Sequence, residues 1–349
     1  MVIFLFMAAI GIYFIKLRDY YIDRTPDFTL EMNSKSVFKN YILQVHKEPH
    51  LLKRLIDRLN DDRSQFFIHV DVKFDIEPFT KLINYNNVHF IAERHNVIWG
   101  DYSQVIATLA LLRAVFEANI EGRIIFLSGQ CYPIKPLHHI TSYLEEHEDI
   151  DFVEFEPILI ERILKHKVNF TNRRGHYFLI GRIRWSQVLT KDFYLNLFKH
   201  AAALLLMKPG IKYQWYAATQ NRTISLFDHH FKGSSWWSFT VNTSKKIYQY
   251  YLDHKEELDH YYSNTLCSDE QFFQTILMKL MEHDYSIQID RYLHFIDWNR
   301  VGEPLPAVLK MSDFDTLLQQ PDRVLFARKF DPKKCAEILD KIDRQILDN

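Results

Sequence analysis

A short acidic run, Ser268-Asp269-Glu270-Gln271, precedes Phe272, Phe273 and Ile276, which recur at helical spacing. Ser268 followed three positions later by Gln271 has the spacing of a capping box, which predicts Ser268 as an N-cap and Glu270 in the first turn of a helix. A carboxylate there is kept ionised by the helix dipole and is carried on a rigid mount by the buried phenylalanines. That is what a general base needs. The same pattern also serves as a plain complement to the dipole, and the run by itself allows both readings. A second acidic residue, Asp71, closes the apolar run Phe66-Phe-Ile-His-Val70, where a strand end would present it to a ligand. Two adjacent cations, Arg328 and Lys329, interrupt the otherwise apolar Val324-Leu-Phe-Ala-Arg-Lys-Phe-Asp331. They are either surface charges flanking a strand or the positive partners of an anionic leaving group.

The metal question is answered by spacing. Asp71 is followed by Val72 and Lys73, so no Asp-x-Asp stands at that strand end. Asp149-Ile-Asp151 precedes a strand and Asp313-Phe-Asp315 lies at a helix start, which reads as capping or solvated acids. His69 and Asp71 have no third ligand at recognisable spacing, so no metal and no other cofactor is expected. Without a metal, charge building on a leaving diphosphate needs another positive partner, and Arg328 with Lys329 supplies it. The chain has no Walker loop, no Gly-x-Gly-x-x-Gly and no Gly-x-Ser-x-Gly elbow.

The elements that position these residues alternate between strand and helix. Tyr41-Ile-Leu-Gln-Val45, Phe66–Val70, Val88-His-Phe-Ile91, Arg123-Ile-Ile-Phe-Leu127 and Phe152-Val-Glu-Phe155 are short apolar strands. Between them, Leu51, Leu52, Leu55, Ile56 and Leu59 mark one helix, Tyr102 to Ala118 a second and His139 to His147 a third. Asp101 or Ser103 is the expected cap of the second. This alternation predicts an α/β fold with a mostly parallel sheet covered on both faces, with ligands beyond the carboxyl ends of its strands. Asp71, Trp99 and the loop Ser128 to Pro136 occupy that edge. Farther on, helices are expected over Thr190 to Met207, Ser244 to His260 and Pro332 to Leu347, with an aromatic strand after Lys232-Gly-Ser-Ser-Trp236.

With 349 residues, 47% hydrophobic and 25% charged, the chain can fill one large domain or two intimate ones. Its net charge of -1 gives no pull toward nucleic acid, and no basic run is interleaved with aromatics, so nucleic acid is not an expected partner. Three widely spaced cysteines argue against a disulfide framework. The uncharged stretch 1–15 is followed by Lys16 and Arg18. It falls short of the ~20 residues that span a bilayer. The division expected is a hydrophobic segment at 1–18, a linker at 19–40 and one domain at 41–349, with 41–155 the nucleotide-binding half and 156–349 the acceptor and catalytic half. If the first segment inserts, the basic residues keep the domain on the cytoplasmic side of a membrane; otherwise the protein is cytoplasmic.

Taken in order, six stretches resemble the core-2/I-branching β-1,6-N-acetylglucosaminyltransferase family, glycosyltransferase family 14, which also includes peptide O-xylosyltransferases. They are Phe67-Ile-His-Val-Asp71, Val97-Ile-Trp-Gly-Asp-Tyr-Ser103, Leu127-Ser-Gly-Gln-Cys-Tyr-Pro-Ile-Lys135, Lys232-Gly-Ser-Ser-Trp236, Ser268-Asp-Glu-Gln-Phe-Phe-Gln-Thr275 and Phe326-Ala-Arg-Lys-Phe-Asp331. The resemblance implies a GT-A-like, Rossmann-type fold, a UDP-sugar donor, a glycan acceptor, no metal and inversion at the anomeric carbon. It implies Glu270 as catalytic base, Asp71 and Trp99 in the donor pocket, and Lys329 with Arg328 facing the diphosphate. Glu154, Glu156 and Trp236, with Trp237, are expected on the acceptor side. Arg300 is the stand-in for the family's second phosphate-binding arginine, and Cys131 replaces the aspartate usual in its loop. N-acetylglucosamine is the expected donor sugar, xylose the alternative, and a non-catalytic glycan-binding protein on the same fold the rival of another class.

Overall fold

The computed structural model describes residues 37–158, 226–263, 265 and 267–348, together with the backbone of 170–171 and 177–178. The hydrophobic segment at 1–18, most of the linker and the helix expected over Thr190 to Met207 lie outside the described residues.

In chain order the elements are β1 (Lys39–Val45), α1 (Pro49–Leu59), β2 (Ser64–Val70), α2 (Glu77–Leu82), β3 (Val88–Phe90), α3 (Ser103–Glu117), β4 (Arg123–Ser128), β5 (Tyr132–Pro133), α4 (Leu137–Glu146) and β6 (Ile150–Phe152). Then follow β7 (Glu156–Ile158), β8 (Phe170–Thr171), β9 (Tyr177–Phe178), β10 (His230–Lys232), β11 (Ser238–Thr240), α5 (Val241–Asp253), α6 (Lys255–Tyr262) and α7 (Phe272–Met281). The last are β12 (Gln288–Asp290), β13 (His294–Ile296), α8 (Phe314–Leu318), β14 (Phe326–Arg328) and α9 (Glu337–Ile342).

Seven strands form the central sheet in the order β12-β6-β11-β4-β1-β2-β3. β1 pairs in parallel with β2 and β4, and β11 alone runs antiparallel, between β4 and β6. The continuous apolar strands are buried on both faces because side chains alternate. Tyr41, Leu43, Ile125 and Leu127 face a core shared with α1, α4 and α9, whereas Ile42, Ile124 and Phe126 face one shared with α3, α5 and α7. This is the mostly parallel α/β architecture that a GT-A-like reading requires.

Several boundaries move. The strand expected at Phe152–Phe155 lies two residues earlier, as β6 ending at Phe152, with 153–155 connecting it to β7, and the helix expected from Ser244 to His260 breaks at His254, whose φ of -122° and ψ of 26° leave the helical region. The terminal helix starts at Glu337, five residues late, and ends as a π turn over Asp343–Leu347. The Ser268 capping box is not formed. Ser268–Glu270 is instead a single 3₁₀ turn entered through Cys267 in the left-handed region (φ 49°), and α7 begins only at Phe272. The Ser268 hydroxyl is buried without a hydrogen-bond partner among the described residues. At α3 no side chain caps from Tyr102, but Asp101 accepts the Ser103 amide at 2.9 Å, and the Ser103 hydroxyl accepts from Ile98 N.

Candidate active site

The carboxyl ends of β1, β2 and β4 open into a cleft of about 560 Å³. Asp71, Trp99, Trp236, Glu270, Arg328 and Lys329 all line it, as do Lys47, Gln104, Ser235, Asp269 and Trp298. Lys47 and Asp71 follow strands of the central sheet, Arg328 ends β14 of a three-stranded sheet, and Glu270 ends the turn before α7, so residues distant in sequence meet at the carboxyl edge.

Glu270 is placed by packing. Phe272, Phe273, Ile276 and Leu277 are at most 1% exposed and bolt α7 into the core. The Thr275 hydroxyl donates to Phe231 O at 3.1 Å and Gln274 donates to Ser234 O at 2.8 Å, so α7 grips the 231–235 loop. Gly233 N donates to Glu270 O at 2.8 Å. The closeness of that pass leaves no room for a side chain: a Cβ on Gly233 would sit 1.7 Å from Glu154 O, so only glycine fits. The Glu270 carboxyl takes no hydrogen bond among the described residues. Burial, then Asp269 and Glu154, push its pKa up to about 7, while Lys232 and Arg328 act in the opposite sense.

The cations divide between two environments. Arg328 lies over the Trp236 ring, 4.1 Å from its centroid, and has no carboxylate ion pair among the described residues; its Nε is buried without a partner. The acids beside it are Asp269 and Glu270, and burial lowers its pKa. Lys329, in the same cleft lining, stands among other cations: burial lowers its pKa first, followed by Arg328, Lys47 and Lys334. Lys47 reaches only a 3.4 Å contact with Asp331. Clustered cations without matched carboxylates raise one another's free energy, which an incoming polyanion relieves.

Asp71 is 5% exposed, accepts Lys73 N at 2.9 Å and pairs with Lys73 Nζ at 2.8 Å. Its neighbour His69 accepts His95 N at 2.8 Å and is pushed down to about 4 by burial, so it stays neutral. Trp99 is 71% exposed at the rim.

Other expected residues are elsewhere. Arg300 is bound by Asp297 (2.8 Å) and Asp313 (2.7 Å) and donates to Val308 O, outside the cleft lining. It staples its own loop through these two carboxylates. Asp313 also accepts Lys310 N at 2.7 Å, the capping role expected of it. Glu156 is exposed on β7, pairs with Lys232 at 3.3 Å and does not line the cleft. Glu154 is half-buried behind the wall and acts on Glu270 through its charge. Trp237 is a core residue, 1% exposed. Asp151 is neither cap nor solvated acid: it is 1% exposed and accepts Thr240 N and the Thr243 hydroxyl, each at 2.6 Å. Among the described residues no three of His, Cys, Asp and Glu are grouped to hold a metal ion. Lys47, Gln104 and Ser235 escaped the sequence reading. Lys47, two residues past the end of β1, carries the same strand-end signal as Asp71; Ser235 lies within the Lys232–Trp236 stretch without being singled out, and Gln104 carries no signal.

Comparison with known proteins agrees with the six motifs. Residues 40–179 match the family model described as Core-2/I-Branching enzyme. The chain is 24% identical over 319 residues to "Beta-glucuronosyltransferase GlcAT14B" of Arabidopsis thaliana, covering 85% of this chain and 63% of that protein. It is 24% identical over 325 residues to "Xylosyltransferase 2" of Homo sapiens, covering 87% of this chain and 33% of that one. The chain therefore spans less than two thirds of the curated relatives it matches. The family model ends before Glu270 and Arg328, whereas the relatives' alignments extend over most of the chain. On the matched residues 40–179 and these relatives, the chain is similar to the Core-2/I-branching enzyme family and to named glucuronosyl- and xylosyltransferases.

Proposed function

We propose that this protein is an inverting, metal-independent glycosyltransferase that moves a sugar from a UDP-sugar to a hydroxyl of a glycan acceptor. The observation that carries the reading is one cleft holding a half-buried carboxyl with a pKa of about 7 and four cations, Lys47, Lys73, Arg328 and Lys329, of which Lys73 is paired with Asp71 and Arg328 has no carboxylate ion pair among the described residues. A base poised near neutral pH is ionised often enough to act and basic enough to take a hydroxyl proton. Glu270 removes the proton from the acceptor hydroxyl as its oxygen bonds to the anomeric carbon. The bond from that carbon to the diphosphate oxygen breaks, and UDP leaves with the electron pair. Lys47 and Lys329, with Arg328 beside them, hold the charge that builds there. Asp71 and Trp99 hold the nucleotide end, and Trp236, stiffened by Arg328, forms a wall against sugar. N-acetylglucosamine is the donor sugar the motifs point to; glucuronate and xylose are the sugars in the relatives' names.

The test is UDP release from a panel of UDP-sugars (N-acetylglucosamine, glucuronate, xylose, glucose, galactose) with EDTA present and a mixed glycan acceptor pool. One donor is expected to turn over, and Glu270→Gln is expected to lose roughly 10²-fold or more of that turnover while still binding the donor. Full activity in the variant would remove Glu270 from its role, and binding of a glycan without any affinity for UDP-sugars would favour the non-catalytic reading.

A further inference from the structure

The residue beside the proposed base is built in more firmly than the base. Asp269 is 9% exposed, and its Oδ2 accepts from the Ser235 hydroxyl at 2.7 Å and from the Gln104 side-chain amide at 3.1 Å. Its Oδ1 is buried with no hydrogen-bond partner among the described residues. Burying a carboxylate with one bare oxygen is costly, so packing alone does not account for an acid here. Its two donors come from the other walls of the cleft. Ser235 immediately precedes Trp236. Gln104, in the first turn of α3, also accepts from Gly100 N, next to Trp99. Cys267 N donates to Gly100 O at 2.8 Å, closing the loop from the other side. The donor rim, the Trp236 wall and the Glu270 turn are thus joined through one carboxylate, on whose far side stands Arg328.

We infer that Asp269 is a positioning residue: its carboxylate locks the Glu270 turn to the Trp99 and Trp236 loops and stands beside Glu270. This rests on the reading of Glu270 as the base. The charged and titratable groups around Glu270 are Asp269 and Cys267 on its own turn, Glu154 after β6, Lys232 at the end of β10 and Arg328 on β14. Among the charges Asp269 acts most strongly, in the direction that favours the protonated Glu270. The arrangement keeps the base rigid and basic without a hydrogen bond that would occupy its oxygens.

The full chain labelled with ¹³C at glutamate side-chain carboxyls gives a readout that needs no substrate, the Glu270 signal being the one lost in Glu270→Gln. Asp269→Asn keeps an oxygen for both donors and removes only the charge. In it, Glu270 is expected to titrate at lower pH than in wild type. Ser235→Ala, which removes a donor that favours ionised Asp269, moves the titration the same way by less. With a turned-over donor, the acid limb of the kcat profile follows the titration, and Asp269→Asn loses about tenfold in kcat with donor KM within about threefold. A Glu270 titration unchanged in both variants, each folded by its unfolding midpoint, overturns the inference. If instead Glu270→Gln turns over normally, the base assignment fails, and the carboxyl titration still decides whether Asp269 sets its proton affinity.

Discussion

At opposite ends of the central sheet the molecule assembles the same three parts, an arginine, an aromatic ring and a buried acid, and closes only one of the two sets. At the amino end of β4, Arg123 is fully buried and stacks over Phe152 at 5.0 Å. It donates to His147 O, Glu148 O and Ser238 O at 2.7, 3.1 and 3.3 Å, and only its Nε is buried without a partner among the described residues. Its neighbour Asp151 is satisfied by Thr240 and Thr243, with a pKa raised to about 6 by burial. At the carboxyl edge, Arg328 stacks over Trp236 at 4.1 Å beside Glu270, raised to about 7, yet neither charged group has a hydrogen bond among the described residues. The first set spends its polar groups on the fold; the second holds them for something that arrives. A perturbed acid and an unpartnered guanidinium Nε mark both, so neither alone identifies a site; a guanidinium and a carboxyl that both lack any hydrogen bond among the described residues do.

The comparison breaks most visibly at the arginines. Arg123→Met, which leaves Asp151 and its surroundings without their cation, is expected to cost about 3–5 kcal/mol in a urea titration. Arg328→Met is expected to cost less than half of that, while donor affinity falls tenfold or more, the value of hydrogen bonds to a charged group. Equal stability losses would erase the distinction between closed and open sets. The next effect is pH-dependent. Glu270 has its folded-state pKa raised above the ordinary carboxylate value, so the stability it contributes is full below about pH 4.5 and is lost as pH rises to about 7. Glu270→Gln lacks that loss, and should gain on wild type by roughly 2–3 kcal/mol between pH 5 and pH 8. A gain that is the same at both pH values would mean that Glu270 is not buried in its charged form. Smallest is Arg300→Gln, which sharpens the comparison from outside: a locally paired arginine, it should lose about 1 kcal/mol or less and leave UDP affinity, read by calorimetry, unchanged.

The order of strands and helices was legible because apolar runs between β1 and β4 are buried on both faces, which leaves an unmixed signal. Glu270, Asp71, Trp99, Trp236 and the Arg328-Lys329 pair were legible through motifs, and all of them reach one cleft. What escaped was set by contacts distant in sequence. Ser268 and Gln271 have the right spacing for a cap, but Cys267 turns left-handed to meet Gly100 and the box never forms. Arg300 reads as a spare cation until Asp313 comes to it. Gln104 and Ser235 are ordinary polar residues in sequence and become parts of the site only because Asp269 lies between them.

The sheet that carries the cleft also tapers. Its interior strands β1, β2 and β4 run seven, seven and six residues, whereas the edge strands β3 and β12 run three each. A foreign strand seeking to extend it would find only a few backbone donors and acceptors at either margin, and at β12 it would meet Asp290 and Arg291 as well. A core this rich in aromatic and β-branched residues would be an aggregation hazard if its long strands stood at the edge. By burying them in the middle, the fold keeps its most adhesive segments out of reach of other chains.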